Sequence, residues 1–200
     1  MLLLTADDLI SKKDMLEQLI DEKKYSEFVR IVSDSPSADI AELLDVTKTE
    51  YRSVFFRLLP KEIASDVFVN MDTDAKEQII SGFTDSELAL MLEELYLDDT
   101  VDIIEEMPAN VVKRIIRNST HENRSTINRL LRYPKDSAGS IMTTEYVRFK
   151  GSMTVGEALD HIRRVAIDKE TIYTCYVTDS YRHLDGIVTA KDLLISQLDT

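Results

Sequence analysis

The sequence predicts a mainly α protein with a smaller α/β part: a superhelix of short helical hairpins followed by a β-α-β-β-α module. Three observations predict it. Only five Gly and four Pro occur in 200 residues, which favours helix over a loop-rich β architecture. Pro36, Pro60, Thr84 and Pro108 stand 24 residues apart, and a fixed period of that length marks stacked repeats. After Leu131 come runs of β-branched and aromatic residues, which favour strands.

The first repeat block reads PSADIAELLDVTKTEYRSVFFRLL and the third TDSELALMLEELYLDDTVDIIEEM. Aligning the four blocks produces apolar columns. The fifth column holds Ile40, Ala64, Leu88 and Val112, and the twentieth holds Phe55, Ile79, Ile103 and Ile127. The last holds Leu59, Phe83, Met107 and Leu131. Offsets of three and four give each short helix one buried stripe. The reading is helix, turn, helix per block, with proline in the first helical turn, where its missing N–H is not needed. One hairpin cannot bury its stripes alone, but a stack can. Residues 12–35 fit a fifth, degenerate block through Leu16, Leu19, Ile20, Ile31 and Val32.

Residues 133–200 follow a different plan. A strand precedes SMTVGEALDHIRRV, a helix opened by a capping box of Thr154 and Glu157. ETIYTCYVTD and LDGIVTA are strands around the turn SYRH, and KDLLISQL is a closing helix. The expected division is therefore an acidic helical-repeat domain, 1–132, and a β-α-β-β-α module, 133–200.

Composition excludes several function classes. Net charge is −13 and the sequence pI about 4.7, which argues against a nucleic-acid partner. The single cysteine, Cys175, excludes an internal disulfide and a cysteine-based zinc site. It reads as a packed strand residue. His121, His161 and His183 are scattered and read as surface residues. No phosphate-cradling glycine motif and no H-E-x-x-H occurs. Nothing pairs a nucleophile with a base, so the chain is not expected to be an enzyme. The amino terminus lacks a basic n-region and a cleavage site, and no apolar run is long enough to span a bilayer. The chain as it stands reads as soluble and suited to a reducing cytoplasm.

The charge is concentrated. Residues 62–106 hold fourteen acids and one base, Lys76. Within them, EELYLDDTVDIIEEM carries seven acids in fifteen residues. Helical spacing puts Thr100, Ile103, Ile104 and Met107 on one face. Asp98, Asp102, Glu105 and Glu106 lie on the other, with Asp99 at its edge. The column of Asp98 also holds Glu50, Asp74 and Glu122. An acid there in every block is explained by the helix dipole. The column of Asp102 holds Val54, Gln78 and Thr126, so its acid belongs to this block alone. Glu105 and Glu106 sit toward the helix C-terminus, where the dipole disfavours negative charge. Two readings stay open: a solvated face, or a face for a hard divalent cation that takes one or two carboxylates and keeps several waters. The stretch GIVTAKDLL is similarly double. Thr189 and Asp192 suit a capping box, and the same helix start with Lys191 could meet the ribose and phosphate of a nucleotide.

LRYPKDSAGSIMTTEYV, MTVGEALDHIRR and GIVTAKDLL together resemble the cytosolic region of MgtE-type magnesium transporters. The last stretch is similar to the signature of a cystathionine-β-synthase (CBS) module. The resemblance spans nearly the whole chain. It implies a cytosolic Mg2+ sensor on a homodimeric membrane channel, in which Mg2+ between acidic faces locks domains together and closes the pore. It implies Mg2+ positions at Asp98 and Asp102, with a weaker match at Asp66. It also implies ATP or another adenosine nucleotide near Thr189, Lys191 and Asp192. The implied partners are Mg2+, a second copy through CBS surfaces, and a membrane domain, at the cytoplasmic side of the cell membrane. The family pairs two CBS modules, whereas only one fits before Thr200. The second module, and with it most acids opposite the N-terminal domain, is expected to lie outside these residues. The alternative, from another class, is a soluble scaffold with a protein-binding helical repeat and a nucleotide-sensing CBS module.

Overall fold

The computed structural model describes residues 5–200, apart from the side chains of Lys61, Glu62 and Asp168. The chain forms two compact units. One runs to Leu95 and resumes over Asp99–Asn128; the other joins Tyr96–Asp98 with Arg129–Thr200.

The first unit is a regular stack of helices. After α1 (Ala6–Ser11) come α2 (Lys13–Asp21), α3 (Tyr25–Val32), α4 (Ser37–Val46), α5 (Thr49–Leu58), α6 (Lys61–Asn70) and α7 (Thr73–Gly82). Then follow α8 (Asp85–Glu94), α9 (Leu97–Glu106), α10 (Ala109–Asn118) and α11 (His121–Leu130). From α2 onward each helix starts 12 residues after the last. The 24-residue period is thus a doubled 12-residue pitch, and the degenerate block at 12–35 is in register with it.

The two-residue links explain the pitch. The first link residue is buried each time: Thr47, Leu59, Met71, Phe83, Leu95, Met107 and Ser119. Apolar members there drive the chain inward. The two polar members satisfy themselves, Thr47 donating its hydroxyl to the Leu43 carbonyl (2.7 Å) and Ser119 to that of Ile115 (2.9 Å). The second link residue is the N-cap. Pro60 and Pro108 occupy it, and Pro36 is likewise the N-cap of α4 at the end of the longer segment 33–36; their ψ of 141–150° puts them one position before the first helical turn expected from the sequence. Proline fits because its fixed φ suits the extended cap and its missing N–H is not needed there. Thr84 instead makes a capping box with Glu87. Helices two apart pack together, α4 on α6, α5 on α7 and α8 on α10. Phe28, Phe55 and Phe68 fill the interior, with Phe28 and Phe55 rings 4.5 Å apart.

Arginines close the helix ends. The Arg52 side chain, buried, donates to the carbonyls of Leu44 (2.8 Å), Asp45 (2.9 Å) and Thr47 (3.1 Å). Arg124, in the same repeat column, donates to Arg117 and Ser119, and Arg114 to Ile80 and Phe83. These carbonyls lie in the last turns of helices or in the links after them, where intrahelical donors run out.

The second unit holds β1 (Tyr146–Lys150), α12 (Val155–Val165), β2 (Thr171–Thr178), β3 (Leu184–Thr189) and α13 (Ala190–Ile195). The sheet order is β1-β2-β3; β1 and β2 are parallel, joined through α12, and β2 and β3 form an antiparallel hairpin. Val147, Phe149, Ala158, Ile162, Cys175 and Leu193 make its core. The Asp179 carboxylate turns the hairpin by accepting from the N–H groups of Tyr181 and His183, both at 2.8 Å. Arg182 takes a positive φ of 70° there.

Candidate metal-binding face

Helix α9 orients the acidic segment as its amphipathic pattern requires. Thr100, Val101, Ile103 and Ile104 are buried, while Asp102, Glu105 and Glu106 are exposed and Asp98 and Asp99 half-buried. Burial of four residues on one face leaves the carboxylates no other direction. Their crowding has an electrostatic consequence. Partial burial pushes the Asp102 carboxyl above the ordinary range, and the charges of Glu105 and Glu106 push the same way. Among the described residues, the charge of Lys76 pulls the other way. Glu106 has a second tie, accepting the Thr73 hydroxyl of α7 at 2.8 Å.

The N-terminal end of α9 belongs to the second unit. There the Glu145 carboxylate accepts the Leu97 N–H at 2.8 Å. Burial and the neighbouring Asp98 charge raise the Glu145 carboxyl, while this hydrogen bond holds it down. Glu145 was not singled out from the sequence. It lies 48 positions from Leu97, and no local pattern links the two.

Asp66 is exposed on α6, and its carbonyl accepts from the Asn70 side chain (2.7 Å). Among the described residues, no three His, Cys, Asp or Glu side chains gather in a group able to hold a metal. The exposed carboxylates of Asp102, Glu105 and Glu106 are of the type a largely hydrated hard cation needs, one or two per ion.

The nucleotide candidates sit at the start of α13. The Thr189 hydroxyl oxygen accepts the Asp192 N–H (3.1 Å) and the Thr189 backbone N–H donates to the Asp192 carboxylate (2.9 Å), a complete capping box. The Thr189 hydroxyl and N–H, both donating to that carboxylate, hold it below its ordinary value. Lys191 is exposed beside them. With six residues, α13 brings little dipole of its own. Cys175 is buried, and burial raises its thiol, which keeps it unreactive.

Comparison with known proteins places this geometry in a family. The profile described as the MgtE intracellular N domain matches residues 35–136, just over half the chain. The chain belongs to the MgtE family. A CBS domain profile matches residues 138–199. The magnesium transporter MgtE of Thermus thermophilus is 32% identical over 185 residues, covering 90% of this chain and 41% of that protein. That of Bacillus subtilis is 21% identical over 194 residues, covering 97% and 42%. The chain thus spans about two fifths of these relatives' length. Among solved structures, the cytosolic domain of the Mg2+ channel MgtE in complex with ATP superposes with a TM-score of 0.85 at 31% identity, covering 94% of this chain and 77% of that one. The soluble part of a magnesium transporter superposes at 0.81 and 25% identity, covering 96% and 76%. These MgtE relatives share the helical stack and the CBS module, so the fold expected from the repeat period is the family's. Among the described residues, no helix is long and apolar enough to cross a membrane.

Proposed function

We propose that this chain is the Mg2+-sensing cytosolic region of a magnesium transporter. The observation that carries the reading is the exposed carboxylate face of α9, crowded enough to raise Asp102 in a chain of the MgtE family. A cation relieves that crowding, so the cation-bound arrangement is favoured when Mg2+ is plentiful. In the full-length transporter, Mg2+ held by Asp98 and Asp102, with Asp99, Glu105 and Glu106 beside them and Asp66 as a further acid, links the domains and closes the pore. Scarce Mg2+ returns the repulsion and loosens the assembly. This is linkage: the state that binds more Mg2+ is the state Mg2+ stabilises. Membership in a transporter family favours a position at the cytoplasmic side of the membrane over a free-standing scaffold.

Two further proposals accompany it. The ATP complex of the MgtE relative favours an adenosine nucleotide near Thr189, Lys191 and Asp192, whose carboxylate suits ribose hydroxyls. The exposed apolar residues Tyr173, Ile187 and Leu194 favour a second CBS module, or a second copy of this chain, as their cover. The deciding experiment is calorimetric titration with MgCl2 of a chain that includes the second CBS module, with limited proteolysis in parallel. Saturable heat at millimolar Mg2+ with increased protease protection is the expected result. No heat and no protection would refute the sensor.

A further inference from the structure

A cleft of about 1130 Å³ lies in the second unit, along β1 and α12. The sheet order leaves β1 at an edge, paired on one side by β2. Its alternation sends Val147 and Phe149 into the core and leaves Tyr146, Arg148 and Lys150 exposed. On α12, Ala158 and Ile162 take the core, while Asp160, His161 and Arg164 line the cleft.

Five basic side chains line it: Arg148 and Lys150 from β1, Arg163 and Arg164 from α12, and Lys169 after them. Two carboxylates line it as well, and both are engaged. Asp160 pairs with Arg163 at 2.6 Å. Glu157 accepts the Thr154 N–H at 3.0 Å in its capping box. Among the described residues, the other four bases have no carboxylate within 4.0 Å. A positive cleft in a chain of net charge −13 is a local feature, not a general property of the surface. A concave surface lined by one sign of charge focuses its field on a counter-ion. Guanidinium forks match phosphate oxygens two at a time. The same edge offers little to a fourth strand. β1 has five residues, a register shift and two outward bases, and these features blunt an edge.

We propose that the cleft between β1 and α12 binds a phosphate-bearing anion through Arg148, Lys150, Arg164 and Lys169. Its lining includes none of Thr189, Lys191 and Asp192, so it is a separate site from the start of α13. Ile167 bears on the source of the phosphate. It is 90% exposed, in the turn Ala166–Asp168 between Arg164 and Lys169. An apolar tip among bases has the composition of a contact with an anionic membrane surface.

The test uses the 200-residue chain in EDTA at constant ionic strength, with two probes. One is co-sedimentation with vesicles of phosphatidylglycerol in phosphatidylcholine. The other is calorimetric titration with sodium tripolyphosphate. Arg148→Gln, Arg164→Gln and their double variant are compared with the parent and with Lys113→Gln, an exposed base on α10 outside the cleft. Each single cleft variant should weaken binding about fivefold, the scale of one basic residue at an anionic surface. Lys113→Gln should stay within about twofold, since salt screens a distant exposed charge. All three residues are exposed or half-buried, so melting temperatures should hold; Lys150→Gln repeats the test if an arginine variant is less stable. Weakened vesicle binding, with Ile167→Ser weakening it too, assigns the phosphate to a lipid headgroup. Weakening confined to tripolyphosphate assigns it to a free anion. Either result supports the site. It is overturned if the parent binds neither probe, if the cleft variants match the parent, or if Lys113→Gln weakens binding as much as they do. Mg2+ is absent throughout, so none of these outcomes touches the Mg2+ reading.

Discussion

At the scale of single residues, Asp102 and Glu145 share a property with Asp45. All three carboxyls are raised by burial, and a neighbouring acid adds to it in each case. A raised carboxyl holds its proton more tightly in the folded state than in the unfolded one. Its charge therefore costs stability at neutral pH, and that cost lifts as pH falls through the raised value toward the ordinary one. Mg2+ uptake has the opposite sign, because protons and Mg2+ compete for the same oxygens. Mg2+ affinity should weaken at mildly acidic pH, while still above the ordinary carboxylate range. Calorimetry at several pH values checks this, and a flat affinity would remove Asp102 from the ligand set. Glu87 behaves in reverse. Arg57 and the Thr84 cap hold it at about 2, so its contribution is present above its unfolded value and lost as pH falls from there toward about 2. A second expectation concerns Asp102→Asn without Mg2+. Removing one of several crowded charges should leave the melting temperature unchanged or raised. A loss above about 1 kcal/mol, the scale of a lost helix cap, would make Asp102 structural.

At the scale of elements, the helix ends decide more than the helix interiors. Every helix of the four repeat blocks is ten residues long, which is marginal in isolation. Their stability comes from stacked stripes, buried link residues and satisfied carbonyls. Arg52→Ala should therefore cost about 2–3 kcal/mol in urea unfolding, the scale of buried groups left without a charged partner. Lys76→Ala should cost less in the same assay, since no carbonyl depends on it. The apolar columns were legible because each buried stripe repeats at helical spacing. The capping boxes at Thr84, Thr154 and Thr189 were likewise legible, as their partners lie three residues on. The arginine closures were not. Arg52 reaches back eight positions to Leu44 and across to Gln78, and no periodicity announces a side chain that bridges two hairpins. The prolines mark helix starts in the sequence, but only the backbone shows that they are extended N-caps and not first-turn residues.

At the scale of the whole molecule, charge is the dominant fact. Residues 62–106 alone hold fourteen acids and one base, as much net charge as the −13 of the whole chain. Any salt screens it, with a Debye length of about 10 Å at 0.1 M, so stabilisation by Mg2+ alone proves little. A specific site predicts that millimolar MgCl2 raises the melting temperature more than NaCl at matched ionic strength. At about 100 times the dissociation constant, linkage supplies ~2.7 kcal/mol. Equal effects of the two salts would reduce the acidic face to a solvated surface. The exposed apolar residues of the CBS module make a separate prediction. On the proposal that a second copy covers them, Ile187→Glu should abolish self-association in light scattering without lowering the melting temperature, because Ile187 is 60% exposed.

The sequence by itself determined the repeat period, the division of acids on α9 and the strand–helix order of the CBS module. These are local or periodic properties, written in spacing that one segment carries alone. Only the tertiary structure decided that the period is a doubled 12, that Glu145 meets Leu97 within the second unit, and that Arg52 closes the end of α4 while reaching Gln78. The last two depend on residues far apart along the chain, brought together only by folding. Asp102 belongs to both levels. Its break from the repeat column marked it as unusual, but its raised carboxyl is set by neighbours and burial that only folding provides.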